Sequence, residues 1–235
     1  MDNTPSDPPA VRLRFRKWHA LAVLLVVALV FHQPLLRGTG GLLTRDDAGE
    51  TGEFIVLASG NIQDLRRYDM AAELIASGEA TKVLLIPGLP TRIQELGIAP
   101  TSEQLSRDEL ARRDVSPDVV WVYQQDPDRP RTDPQLLGDW LDEHPLARVT
   151  VLCDRFESGS FGWRCRSVTS PDAASRIQVR SLTGVAVDET NWWKSRGGWK
   201  LFGQSWFRWF HSYWFGERPR RRADWDPDEY VKGLK

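Results

Sequence analysis

Residues 53–88 read EFIVLASGNIQDLRRYDMAAELIASGEATKVLLIPG. The run 53–58 (EFIVLA) is apolar and ends in Ser59–Gly60–Asn61, the pattern of a buried strand followed by a turn. Residues 62–77 then carry Leu65, Met70, Ala72, Leu74 and Ile75 at helical spacing, with Gly78 as a C-terminal stop. A second apolar run, KVLLI at 82–86, is closed by Pro87–Gly88. Strands that are apolar on both faces need cover on both faces, and a helix between them implies parallel pairing.

The alternation continues toward the C-terminus. Residues 102–113 form a charged amphipathic helix with Thr101 or Ser102 as its cap. Residues 118–123 (DVVWVY) predict a third strand, and 132–143 a helix opened by Thr132 or Asp133. A fourth strand is expected at 148–153 (RVTVLC), a helix over 156–168 and a fifth strand at 176–182. The expected fold class is α/β, a Rossmann-like three-layer sandwich on a mostly parallel sheet. With 235 residues, 41% of them hydrophobic, the chain fills one such domain.

Ligands of open parallel sheets settle at the carboxyl ends of the strands, near a topological switch point. That rule nominates Ser59, Gly60 and Asn61 after the first strand, Pro87 and Gly88 after the second, and 124–128 after the third. Asp154 and Arg155 follow the fourth. Glycine and asparagine at such places also serve as plain turn residues, because they accept positive φ cheaply. The sequence has no G-x-G-x-x-G after the first strand, no P-loop, no H-E-x-x-H and no paired C-x-x-C. No catalytic residue, cofactor or metal is assigned on these grounds, and enzymatic activity stays open. The net charge of −1, evenly balanced, gives no field to attract nucleic acid. Cys153 and Cys165 leave a disulfide open.

At the N-terminus, residues 1–17 combine a polar, proline-rich start with Arg12, Arg14, Arg16 and Lys17, and are expected to be a cytoplasmic tail. Residues 18–36 enclose the apolar run 20–31 and suit a transmembrane signal anchor, one N-terminal transmembrane helix at the inner membrane with the main domain outside the cytoplasm. A cleaved signal peptide with Gly38–Thr39–Gly40 as its cleavage site, or a buried core helix, are the alternatives. Residues 37–52 are expected as linker, 53–190 as the α/β domain, and 191–235 as an aromatic C-terminal helix and tail.

More than half of the eleven tryptophans fall in the last third of the chain. Asp188 to Asn191 suit the cap of a helix starting near Trp192, weakened or kinked at Gly197–Gly198. Trp199, Phe202, Trp206, Phe210 and Tyr213 share one face, with Phe207, Trp209 and Trp214 elsewhere. This helix either packs on the domain or lies, with its cationic neighbours, in the membrane interface, and the two are compatible on opposite faces.

Several motifs in order resemble the DUF218 family, also called the ElyC/SanA/YdcF family. Arg67 and Ala71 match its Arg-x-x-x-Ala helix, Gly78–Glu79–Ala80 its Gly-x-Ala, Pro87–Gly88 its strand end, and Thr132 the threonine that opens a later helix. Asp126 or Asp128 stands near the family's acidic position, and 191–196 (NWWKSR) resembles its closing block. The family's Gly-Gly-Gly turn is Ala58–Ser59–Gly60 here. Its Ser-x-x-His-x-x-Arg pattern after the fourth strand is replaced by 154–160 (DRFESGS), with Glu157 near the histidine position. The resemblance implies an anchored envelope protein linked to cell-wall or envelope-carbohydrate maintenance. Its ligand is then expected to be phosphorylated or nucleotide-like, such as a lipid-linked sugar. Arg67 and Arg155 are expected to neutralise phosphate, Ser59 to Asn61 to cradle it, and Asp154 to orient a hydroxyl, with Gly88 and Thr132 nearby. The alternative is a non-catalytic scaffold that binds lipid or a protein through its aromatic C-terminus.

Overall fold

The protein is described by a computed structural model covering residues 11–47, 49, 51–58, 64–183 and 186–216; for 11–17, 21, 24, 25 and 27–31 only the backbone is described. Five strands form one all-parallel sheet: β1 (Phe54–Ala58), β2 (Lys82–Ile86), β3 (Val120–Val122), β4 (Val149–Cys153) and β5 (Ile177–Ser181). Their spatial order is β3-β2-β1-β4-β5. The chain therefore builds outward from β1 in one direction, then returns to the other side of β1 with β4. This is a Rossmann-like α/β arrangement, and the switch point lies between β1 and β4.

Helices α2 (Arg66–Ala76) and α4 (Ser102–Ala111) cover one face, with the short α3 (Arg92–Glu95) in the connection from β2 to α4. Their residues Tyr68, Ala71, Leu74 and Leu110 pack with Ile55, Leu57, Val83 and Leu85 of the strands. Helices α5 (Asp133–Glu143), α6 (Arg155–Val168) and α7 (Pro171–Ser175) cover the other. There Leu137, Trp140, Leu141, Phe161 and Cys165 meet Val56, Leu84, Val149 and Val151. Alternate residues of each central strand thus feed opposite layers, the reason those strands read as unbroken apolar runs. Several edges of the reading shift, α2 among them, which starts at Arg66 rather than at 62. The third strand starts at Val120 rather than at 118, because Pro117 opens a 3-10 turn, Pro117–Val119. The helix after β4 starts one residue earlier, at Arg155.

Upstream, α1 (Val11–Gly41) spans 31 residues with Pro34 inside it. Among the described residues no helix is long and apolar enough to cross a membrane. Most side chains of the apolar run 20–31, on which the anchor expectation rests, lie outside the described residues.

The segment expected as a linker differs from that reading. Helix α1 continues to Gly41, and Leu43 is buried against Phe156 and Trp192. The Gly159 N–H donates to the Leu43 carbonyl at 3.0 Å, an approach only glycine permits, since a Cβ there would meet that oxygen at 2.6 Å. The Arg45 N–H donates to Ser158 Oγ at 2.7 Å. Asp47 then runs beside β5: its N–H donates to the Val179 carbonyl at 2.9 Å, and its Oδ2 accepts from the Val179 N–H at 3.0 Å. Asp46 Oδ1 accepts from the Ser181 N–H at 3.4 Å.

The C-terminal layer is built on Trp192. A 3-10 turn, Trp192–Lys194, is followed by α8 (Arg196–Phe215). The break falls at Ser195, whose φ of −135° and ψ of 150° are extended and whose hydroxyl accepts from the Gly198 N–H. Gly197 and Gly198 therefore sit in the first turn of α8 and do not kink it.

Candidate functional site

The switch point is flanked by the segment after β1 and the segment after β4. Ser59, Gly60 and Asn61, named from the sequence, lie outside the described residues. The next described residue after β1 is Asp64, which ends in a fork with Arg66. Arg66 Nε donates to Asp64 Oδ1 at 2.8 Å, its Nη2 donates to Oδ2, and its backbone N–H donates to Oδ1 at 3.1 Å. A short acid accepting the N–H two residues on is an Asx turn, and here it starts α2.

Asp154 occupies the matching place after β4, as the residue before α6. Its carboxyl makes no capping bond to its own helix and instead shares a hydrogen bond with Asp64. Arg66 Nη2 stands 4.0 Å from Asp154 Oδ1. Two carboxyl groups in contact cannot both ionise without strong repulsion. Their environments decide which one holds the proton. The hydrogen bonds from Arg66 hold Asp64 below the ordinary carboxylate value. Burial, then the hydrogen bond and charge of Asp64, push Asp154 up. Asp64 is therefore the more acidic of the pair and Asp154 the one that takes up a proton first, with the guanidinium of Arg66 beside both.

Arg67 lies one residue further on and is 6% exposed. Its Nη2 donates to the Ala58 carbonyl at 2.8 Å, closing the end of β1, and its Nε is buried with no hydrogen-bond partner among the described residues. Its charge acts on both Asp154 and Cys153. Arg67 therefore belongs to the site as a positive wall beneath it.

The other expected residues divide. Gly88, half-buried, follows β2 on the same carboxyl edge, since Ile86 and Ala58 are paired in register. Thr132 caps α5 in a reciprocal box, its N–H and Oγ1 donating to Gln135 Oε1 at 3.0 and 3.2 Å. Arg155 differs most from expectation. Its Nε and Nη2 donate to Glu189 at 2.5 and 2.7 Å, a two-pronged ion pair that ties the start of α6 to the segment before Trp192. Its guanidinium is held by that carboxylate, a structural tie the sequence did not announce.

In the 154–160 segment the polar groups are also committed. Ser158 Oγ donates to the Arg155 carbonyl and accepts from Arg45, while Ser160 Oγ donates to the Glu157 carbonyl. Both serines are buried. Glu157, near the position where the DUF218 pattern has histidine, forms an ion pair with Arg208 of α8. Asp126 and Asp128 form a turn after β3, with the Asp128 N–H donating to Asp126 Oδ1 at 2.9 Å. Cys153 and Cys165 are buried and are not joined to each other by a disulfide, and burial pushes the Cys153 thiol up to about 12. Among the described residues no group of three or more His, Cys, Asp or Glu is placed to hold a metal ion.

Asp64 and Arg66 were missed from the sequence because the helix was started at residue 62, which put both inside it. The signal was present: an aspartate at a cap-like position just before the apolar spacing begins. In comparisons with known proteins, the chain matches no family model, no curated protein and no solved structure.

Proposed function

We propose that this protein is a membrane-held, DUF218-like envelope protein that binds a phosphorylated, hydroxyl-bearing ligand at the carboxyl edge of its sheet. A sugar phosphate or lipid-linked sugar fits that description. The observation that carries the reading is the Asp64–Asp154 pair at the β1/β4 switch point beside Arg66, its two carboxyls pushed in opposite directions, Asp64 down and Asp154 up. Sugar hydroxyls both donate and accept, and two carboxyls beside a guanidinium offer both partners. Arg66, the half-exposed cation at the rim, supplies charge for a phosphate, and the N-terminal turn of α6 adds its positive end. Arg67 supports the same polarity from below. Two carboxyls whose proton affinities are pushed apart are also the minimum equipment for proton transfer to and from a bound ligand.

The test is a thermal-shift series on the full chain in detergent against glucose 1-phosphate, uridine diphosphate sugars, inorganic phosphate and a short-chain polyprenyl phosphate. A ligand at ~100 times its Kd stabilises the fold by about 2.7 kcal/mol. The reading requires a hit among the sugar-bearing phosphates that is lost in both Asp154→Ala and Arg66→Ala. No shift with any member of the panel, on a cooperatively melting protein, removes it.

A further inference from the structure

Helix α8 is built the reverse of a helix that merely covers a core. Its buried residues are Gly198, Ser205 and Ser212, all small. Phe202, Trp206 and Trp209 fill the half-buried flanks against Trp192 and Leu43. The large rings left over point outward: Phe207 is 72% exposed, Phe210 50%, Trp214 65% and Phe215 66%. They interlock as one surface, with Phe210 and Trp214 ring centroids 5.8 Å apart and His211 bridging Phe207 at 6.2 Å and Phe215 at 5.1 Å. An apolar patch of this kind on a folded chain marks a surface that meets something apolar.

Two facts identify the occupant. First, the helix sequence RGGWKLFGQSWFRWFHSYWF contains Arg196, Lys200 and Arg208 and no acid, and Arg218, Arg220, Arg221 and Arg222 follow it in the sequence. Aromatic rings among an excess of cations, even with Arg208 paired to Glu157 and Glu217 ahead of the arginine run, complement an anionic phospholipid surface. A second copy of the same face would bring like charges together. Second, α8 is coupled to α1, whose sequence carries the apolar run 20–31. The Trp192 Nε1–H donates to the Leu36 carbonyl of α1 at 3.0 Å, and the Trp192 indole stacks on Phe202 of α8 with centroids 3.7 Å apart. At ~1.5 Å per residue, Trp214 lies only about 18 Å along α8 from Phe202.

We infer that the outward aromatic face of α8 (Phe207, Phe210, Trp214 and Phe215) is a second membrane contact, seated at the headgroup–acyl boundary of an anionic bilayer. The contact is independent of the ligand site. With α1 as the other attachment, it fixes the orientation of the domain on the lipid surface rather than leaving it on a swivel.

The experiment uses the full chain in vesicles of phosphatidylcholine, with and without phosphatidylglycerol. A nitroxide is placed at Phe210→Cys, and for reference at Asp108→Cys on α4 in the opposite layer; the two native cysteines are buried and do not compete for label. The Phe210 label is expected to be several-fold more accessible to oxygen than to a water-soluble nickel chelate. That ratio rises with phosphatidylglycerol, and the Asp108 label stays open to nickel in both vesicles. Equal nickel access at the two sites overturns the inference, as does spin–spin broadening at Phe210 that disappears on dilution with unlabelled protein. If Phe210→Cys disturbs folding, Trp214→Cys repeats the measurement with the same criteria.

Discussion

Trp192 and Leu36 lie 156 positions apart in the chain, yet the indole N–H of one donates to the carbonyl of the other at 3.0 Å. The same indole is 1% exposed and stacks on Phe202, so a single side chain holds α1, α6 and α8 together. Trp192→Ala is expected to destabilise the full chain by about 3–5 kcal/mol, as for other large aromatic deletions. Trp192→Phe keeps most of the stack and loses the hydrogen bond, a cost of about 1 kcal/mol. Urea unfolding of the three proteins in one detergent measures both differences. Near-equal midpoints for the alanine variant and wild type would show that the joint carries no weight.

Glycine inside α8 offers a paired comparison. A Cβ at Gly198 would meet the Trp192 carbonyl oxygen at 2.0 Å, whereas at Gly203 nothing lies within 4 Å. Gly198→Ala is expected to cost at least ~1–3 kcal/mol through overpacking. Gly203→Ala, in an open helix position, is expected to gain about 0.5–1 kcal/mol from helix propensity. Opposite shifts in melting temperature confirm the placement; two shifts of the same sign refute it.

The acid pair makes stability pH-dependent in a definite direction. Asp154 is raised above its ordinary 3.8, so its favourable contribution is complete below that value and is lost as pH rises through its folded-state value. Asp64 is lowered and contributes the other way, with stability present above the ordinary value and lost as pH falls through its own. Asp154→Asn keeps a donor toward Asp64 at every pH. The stability of this variant relative to wild type should therefore increase from pH 4 upward, read as melting temperature against pH. Parallel curves would mean the two carboxyls do not share a proton.

Arg155 separates structure from binding. Arg155→Ala breaks the two-pronged pair with Glu189 and should lower stability by about 1 kcal/mol, the upper range for such a partly solvated pair. Ligand affinity should stay within a few-fold of wild type, in contrast to Arg66→Ala. A loss of binding in Arg155→Ala equal to that in Arg66→Ala would return Arg155 to the site.

The sheet was legible because the apolar runs at 54–58, 82–86 and 149–153 are unbroken, and only buried parallel strands need that pattern. The edge strand β5 was legible too, although its buried and half-buried residues alternate. What escaped were features set by contacts between distant segments. Nothing local in RFESGS announces that Arg155 will meet Glu189. Nor does the Gly/Thr/Asp content of 37–52 disclose that Leu43 lies in the core. In α8 the aromatic spacing suggested Trp199, Phe202, Trp206, Phe210 and Tyr213 as one face. The structure turns Gly198, Ser205 and Ser212 inward instead, and at Gly198 the Trp192 backbone leaves no room for a side chain. The site itself was half visible: Asp154 and Arg67 follow from strand-end position and helix pattern, whereas Asp64 and Arg66 depended on where α2 begins.

The run from Arg45 to Asp47 has a consequence for how molecules meet one another. The outer border of β5 would otherwise present open N–H and C=O groups, an invitation for a strand from another chain. Asp46 and Asp47 place carboxylates on the N–H groups of Ser181 and Val179, and Asp47 takes the Val179 carbonyl with its own N–H. The opposite border, β3, is only three residues long. Copies crowded side by side on a surface thus have no ready template for joining their sheets, and two aspartates guard against aggregation.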